Sequence, residues 1–247
     1  MNTILFIHGF PFDHRMWRHQ LVGLARWQCI APNLRGARSA DVPSSPSAYT
    51  MTAYADDLVG LLDRAQIRQA VVCGLSMGGY IIFELLRRHP HRVRAAILCN
   101  TKAAADTPEA KRGRDALAAK AQREGAPAVA AELVPKLLAR ETQQQRAEIV
   151  REVTEMIERQ PVVGIVGALH ALRERPDSTP LLSRIQMPVL VVAGADDQIA
   201  PAPGMKEMAE SIQAAEFVTI PSAGHLAPLE QPENVNAVLA AFLEKLS

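Results

Sequence analysis

Val71-Val72-Cys73-Gly74-Leu75-Ser76-Met77-Gly78-Gly79-Tyr80 is the stretch on which the reading of the chain turns. It predicts a buried strand, an abrupt turn of small residues and the start of a helix, with one hydroxyl at the apex. Gly74 and Gly78 flank Ser76 because so tight a turn leaves no room for large neighbours. The serine side chain is thereby driven out of the sheet toward solvent, the placement a nucleophile needs. The pattern Gly-x-Ser-x-Gly alone would arise by chance in about one chain in ten of this length. Its weight therefore comes from context: an apolar run over 70–73 before it, and Tyr80-Ile81-Ile82-Phe83-Glu84-Leu85-Leu86 after it.

The rest of the chain alternates around this stretch. Residues 4–7 form an apolar run closed by His8-Gly9, fit for a strand buried on both faces. Trp17, Leu21 and Leu24 recur at helical spacing, and Cys29-Ile30-Ala31 before Pro32 gives a short second strand. Residues 33–47, rich in Pro, Ser and Gly, are a loop. Met51, Tyr54, Ala55, Leu58, Leu61, Leu62 and Ala65 hold a 3.6-residue period behind Thr50 as N-cap. The helix after Ser76 carries Arg87, Arg88 and His89 in its last turn and stops at Pro90; residues 95–99 are the next strand. Strand alternating with helix predicts an α/β fold, a parallel sheet with helices on both faces. In such sheets ligands gather at the carboxyl ends of the strands, where Gly9, Ser76 and Asn100 fall.

From 101 to 186 the strand pattern disappears. Thr107-Pro108-Glu109 reads as N-cap, N1 and N2 of a helix, and Val150, Val153 and Ile157 mark another. A structureless loop of that length is uncommon inside a compact domain, so a helical insertion is expected, lying over the strand ends as a cap. Residues 1–100 and 187–247 would then form the core domain and 101–186 the cap. The alternation resumes with a strand over 189–193, a helix with Met205, Met208 and Ile212 inward, a strand over 216–220 and a final helix through Val235, Val238, Leu239, Phe242 and Leu246.

Composition narrows the partners. The chain has 247 residues, 48% of them apolar, enough for one sizeable core. Twenty-seven Lys and Arg against 26 Asp and Glu leave a net charge of +1, which gives no electrostatic reason to expect nucleic acid or an anionic membrane surface. The expected partner is a small molecule. Cys29, Cys73 and Cys99 all sit in apolar runs, and an odd number so placed reads as core residues of a reducing compartment rather than a disulfide framework. No basic start precedes the first strand and no apolar run approaches the roughly 20 residues that span a bilayer. A soluble, cytoplasmic protein is the expectation; oligomeric state is not encoded in any of these features.

A serine hydroxyl needs a base within hydrogen-bond reach, best a histidine held in one tautomer by a carboxylate. Of seven histidines, His14, His19, His89 and His91 lie on polar helix ends or loops, His170 falls in the insertion, and His8 shapes the turn after the first strand. His225 follows the last strand through Pro221-Ser222-Ala223-Gly224, at the carboxyl edge of the sheet. The acid should come from another such loop: residues 189–194 run straight into Asp196-Asp197, whereas the loop after 95–99 offers no carboxylate before Asp106. Either Asp196 or Asp197 meets this requirement. Oxyanion donors are expected from backbone N–H groups: Met77, at the start of a helix where the local field is positive, and Phe10, in the loop after the first strand.

At this point the chain resembles the α/β-hydrolase family. The resemblance rests on His8-Gly9-Phe10-Pro11, on Leu34-Arg35-Gly36-Ala37-Arg38-Ser39, and on Gly74-Leu75-Ser76-Met77-Gly78-Gly79. It is completed by Gly194-Ala195-Asp196-Asp197-Gln198-Ile199-Ala200-Pro201 with Ala223-Gly224-His225 and Glu230-Gln231-Pro232. The resemblance implies Asp197, three residues after Gly194 and four before Pro201, as the acid of a Ser76–His225–Asp197 triad. It also implies a three-layer core, a helical cap after the sixth strand of the family, and no metal or organic cofactor. Epoxide hydrolases and haloalkane dehalogenases of this fold carry an aspartate at the turn, so Ser76 points away from both. Relatives usually open with a two-strand hairpin, but only Met1-Asn2-Thr3 precede Ile4 here, so six parallel strands without an antiparallel member are expected.

The implied activity is hydrolysis of a small carboxylic ester or lactone through an acyl-enzyme. The same parts also serve C–C bond hydrolysis, cofactor-free perhydrolysis, or a ligand sensor that signals to a protein partner. A mainly apolar pocket is expected around Phe10, Phe12, Met77 and Leu226, with Asp13, Arg35 and His170 as candidate polar members.

Overall fold

In a computed structural model of the protein, which describes residues 3–246, strands and helices alternate as the apolar periods require. The first part of the chain runs β1 (Thr3–Ile7), α1 (Arg18–Gly23), β2 (Gln28–Ile30), α2 (Met51–Arg64), β3 (Ala70–Leu75), α3 (Met77–Arg88) and β4 (Val93–Cys99). Then come α4 (Pro108–Glu124), α5 (Ala126–Leu137), α6 (Arg140–Gln145), α7 (Ala147–Glu158) and α8 (Val162–Glu174) without an intervening strand. The chain closes with β5 (Val189–Gly194), α9 (Ala202–Glu210), β6 (Ala215–Ile220), α10 (Ala227–Glu230) and α11 (Pro232–Glu244). The two expected N-caps are in place: the Thr50 hydroxyl accepts from Ala53 N at 3.0 Å and that of Thr107 from Ala110 N at 3.2 Å.

Among the described residues the six strands form one sheet in the order β2-β1-β3-β4-β5-β6, every neighbouring pair parallel. Side chains alternate across it and divide the core in two. Ile4, Phe6, Val71, Cys73, Ile97 and Val192 pack toward α11 and the inserted helices, while Leu5, Ile7, Val72, Leu98 and Val191 pack against α2, α3 and α9. The first connection steps from β1 outward to β2, and the next crosses back to β3 on the other side of β1. Loops leaving β1 and β3 therefore diverge, opening a crevice at the carboxyl ends of these two strands. No helix of the described residues is long and apolar enough to cross a membrane.

The inserted helices α4 to α8 are clasped where the chain leaves the sheet and where it returns. Ser178 N donates to Ala103 O at 2.9 Å and Arg175 Nη2 to Ala104 O at 3.0 Å. Beneath them Asp106 meets Arg175 at 2.7 Å and Arg114 at 3.1 Å. Burial pushes the Asp106 carboxyl upward, but the two guanidinium groups outweigh it and hold its pKa below the usual carboxylate value. Farther out, Gln160 at the end of α7 ties the insertion to the core: its Nε2 donates to Asp13 Oδ2 at 3.1 Å and its Oε1 accepts from Arg38 N at 2.9 Å. α8 rests directly on the loop after β2, where a Cβ at Gly164 would stand 1.8 Å from Gly36 O.

His8 closes β1 as a brace rather than a titrating group. Its Nε2 accepts from Leu34 N at 3.0 Å, so Nδ1 carries the proton and donates to Gly9 O at 2.9 Å. The ring thereby pins the loop after β2 to the loop after β1. Burial, only partly opposed by the Gly9 carbonyl, holds its pKa at about 4.

Two measurements check these assignments. Gly164→Ala should lower unfolding stability by about 1–3 kcal/mol, because the helix must lift off Gly36. Gly113→Ala, at an exposed position inside α4 with nothing within 4 Å of the added carbon, should raise it by roughly 0.5–1 kcal/mol. For His8 the folded pKa of about 4 lies below the ordinary 6.5, so the unfolded chain binds the extra proton and stability falls as pH drops through that window. Between pH 7.5 and 4.5, urea unfolding of the wild type should lose about 2–3 kcal/mol more than His8→Asn. Equal losses would show that the ring is not held neutral.

Candidate active site

The turn between β3 and α3 is as abrupt as the sequence demands. Ser76 sits at φ 53°, ψ −110°, a conformation that L-residues rarely adopt and that costs about 1–3 kcal/mol unless its surroundings enforce it. The enforcement is visible. Ser76 N donates to Cys99 O at 3.0 Å, and its carbonyl accepts from Thr101 Oγ1 at 2.8 Å and from Gly79 N at 2.9 Å. α3 is pressed so closely on β1 that a Cβ at Gly78 would lie 2.2 Å from Ile7 O.

His225 and Asp197 meet at the ends of β5 and β6. His225 is buried, its backbone N–H fixed on Leu137 O of α5 at 2.9 Å. The ring Nδ1 lies 2.8 Å from Asp197 Oδ2. Asp197 Oδ1 accepts from the backbone of Ile199 at 2.7 Å and of Ala200 at 3.0 Å. Asn100 Nδ2 adds a fourth bond, at 2.9 Å to Asp197 Oδ2, and also reaches Gly224 O at 3.2 Å. Burial would raise the Asp197 pKa, but the bond and charge of His225, then Ala200 and Asn100, carry it below its ordinary value. An ionised carboxylate only accepts, so Nδ1 of His225 carries a proton and Nε2 is the nitrogen left to exchange one. Of the two adjacent aspartates, Asp197 is thus the one joined to His225, and Asp196 is exposed. No direct hydrogen bond joins Ser76 Oγ to His225 among the described residues; the two loops are brought together through β4, where Cys99 holds Ser76 and Asn100 holds Asp197.

Asn100 and Glu230 are the contributors that sequence reasoning left without a task. Asn100 was legible as a strand end, but nothing in its spacing announces a bond to Asp197. Glu230 is fully buried, accepting from Gly224 N at 2.9 Å and from Ala139 N at 2.8 Å, so one carboxylate fastens the His225 loop to the inserted helices. Burial raises its pKa, with the backbone donors opposing. Its only sequence signal is the Glu-Gln-Pro segment of the family resemblance.

A narrow cavity of about 20 Å³ lies between the loop after β1, the loop after β2, α2 and α8. Phe10 and Met77 both line it, and neither backbone N–H has an acceptor among the described residues. Phe12 lines it as expected. Leu226 does not: it is fully buried and turns into the core on the α11 side as α10 begins. His170, half-buried on α8, does not line it either; Gly164, Ile165 and Ala168 are the residues that α8 presents there. No group of three or more His, Cys, Asp or Glu side chains suited to a metal ion occurs among the described residues.

Known proteins share this arrangement of chain. An esterase from Thermogutta terrifontis is 39% identical and superposes with a TM-score of 0.96, covering 100% of this chain and 90% of its own. An enol-lactonase from Burkholderia xenovorans is 27% identical with a TM-score of 0.91 over 98% of this chain and 91% of its own. The 3-oxoadipate enol-lactonase 2 of Acinetobacter baylyi is 26% identical over 99% of this chain and 90% of its own length. The sequence pattern of the α/β hydrolase fold matches residues 2–232, and the protein belongs to that family.

Proposed function

We propose that the protein is a serine hydrolase of small carboxylic esters or lactones, with Ser76 as nucleophile, His225 as general base and acid, and Asp197 as the carboxylate that orients it. The observation that carries this reading is the buried His225–Asp197 pair at 2.8 Å, held at the same edge of the sheet as a serine in a strained turn. With Nδ1 committed to Asp197, His225 Nε2 is free to take the Ser76 proton as Oγ attacks the substrate carbonyl. The four donors on Asp197 keep it ionised, so it stabilises the imidazolium without taking the proton itself. Phe10 and Met77 N–H groups are the donors for the oxyanion, a role suited to backbone groups that have no other acceptor. The leaving alcohol collects the proton from His225, and water activated by the same nitrogen releases the acid and restores Ser76.

The substrate class draws on the relatives. One of the similar proteins is named an esterase and two are named enol-lactonases, and the apolar residues around the cavity suit a small acyl group. In this reading residues 101–186 act as a cap over a core formed by 1–100 and 187–247, and α8 forms the roof of the acyl pocket.

Purified protein should turn over p-nitrophenyl butyrate many times per chain. Ser76→Ala should lower kcat by about 10⁴-fold or more, and Asp197→Asn by about 10³–10⁴-fold through loss of the correct tautomer. Circular dichroism should show both variants folded. Near wild-type turnover by Ser76→Ala would overturn the assignment.

A further inference from the structure

A second cleft, of about 440 Å³, opens between the segment that follows β4, α9 and the residues that lead from α8 back to the sheet. Its volume is that of a small-molecule site. Leu182, Ala200, Met205 and Met208 give it a buried apolar wall, while Ala104, Thr179 and Gly204 at its margin are exposed, so solvent reaches it. At Gly204 an added Cβ would meet nothing within 4 Å. Lys102 is the only cationic side chain that lines the cleft.

The Lys102 ammonium, half-buried, has no hydrogen bond or ion pair among the described residues. Burial, and then the charge of Arg175, holds its pKa below the ordinary lysine value, with Asp106 only partly opposing. The carboxylates whose fields reach it are spent on other groups. Asp106 is held by Arg175 at 2.7 Å and Arg114 at 3.1 Å, and Asp197 by His225, Asn100 and two backbone donors. Three cations, Lys102, Arg114 and Arg175, thus face two carboxylates, and one positive charge is left over. The hydroxyls of the wall are engaged as well: Thr101 on Ser76 O, Ser211 on Glu207 O and Thr179 on Asp177. A half-buried ammonium without a partner favours the entry of one negative charge. Glu207, exposed on the α9 side of the cleft, repels a second one, which disfavours a phosphate monoester and leaves a carboxylate with an apolar body.

We propose that this cleft is a second ligand site, taking a short aliphatic monocarboxylate with its carboxylate on the Lys102 ammonium and its chain along Leu182, Ile199 and Met205. It adjoins the supports of the triad: Thr101 Oγ1 donates to Ser76 O at 2.8 Å, and Ile199 and Ala200 donate to Asp197 at 2.7 and 3.0 Å. Binding there requires no chemistry at Ser76 and stands apart from the serine mechanism.

The test is an NMR titration, near neutral pH, of protein labelled at its methionine methyl groups, with sodium hexanoate and separately with hexanamide, its uncharged counterpart. Met205 and Met208 report the cleft, and Met77 reports the cavity beside Ser76. In the wild type hexanoate should move the Met205 and Met208 signals to saturation and bind about tenfold or more tighter than hexanamide, the gain expected of one charge-assisted contact. Lys102→Met should lose that preference while its spectrum remains that of the folded protein. Lys245→Met, which removes the same charge just beyond α11, should keep it. No saturable shift at Met205 and Met208, equal affinity for acid and amide, or a preference that survives Lys102→Met overturns the proposal. Shifts confined to Met77 would place the acid at the oxyanion donors and overturn it as well. Ser76→Ala should give the same titration as the wild type, so the cleft can stand where the serine mechanism fails, and the reverse.

Discussion

The closeness of α3 to β1 and β3 is the constraint from which the rest of the site follows. A helix that begins one residue after Ser76 and crosses over Ile7 leaves no alternative to a sharp reversal at the serine. The positive φ at Ser76 is stabilised from three sides, by Cys99, Thr101 and Gly79, each bonding its backbone. Strain at this one residue is therefore a consequence of packing that is satisfied elsewhere, which is how a folded chain can hold a hydroxyl at a strand end without a ligand present. The same closeness puts the first turn of α3, with its unpaired Met77 N–H, beside the loop that carries Phe10.

β4 transmits this order to the other half of the sheet. Its last residue holds Ser76, and the next, Asn100, holds both Asp197 and the carbonyl before His225. The inserted helices then fasten the arrangement from above through Leu137, Ala139 and Gln160, while Asp106 with Arg114 and Arg175 closes the two crossings between sheet and insertion. These contacts differ in worth. Exposed pairs such as Arg112–Glu109 contribute little, whereas removing the Asp106 carboxylate would strand the buried Arg175 charge and cost about 3–5 kcal/mol. The insertion is thus tied to the sheet where the chain leaves it and where it returns, and it meets the cavity through Gly164, Ile165 and Ala168 of α8.

Much of this was legible in the sequence, for identifiable reasons. Strands β1, β3 and β5 are buried on both faces and read as continuous apolar runs. Thr50 and Thr107 announce helix starts through side-chain chemistry that is local in sequence. Ser76 is flanked by residues that only a tight turn requires. The contacts that escaped are those between residues far apart in the chain. Asn100 gives no local sign of its bond to Asp197, 97 positions away. The period of α2 correctly buries Tyr54, yet a period says nothing about what its hydroxyl meets. Leu226 follows His225 directly and His170 falls between the two halves of the sheet, and neither position in the chain fixes where the side chain points. The direction of a side chain depends on tertiary packing, which turns Leu226 into the core and keeps His170 off the cavity wall.

In the proposed mechanism His225 activates Ser76 and no other hydroxyl. The most direct measurement is covalent labelling with diethyl p-nitrophenyl phosphate followed by intact-protein and peptide mass spectrometry. Attack by Ser76 Oγ on phosphorus expels p-nitrophenolate and leaves a diethylphosphoryl group on the serine. Activation of Ser76 by His225 should give one group per wild-type chain, located on the peptide that contains Ser76, and no labelling of His225→Ala over the same time. Labelling at another residue, or equal rates in wild type and His225→Ala, would contradict it.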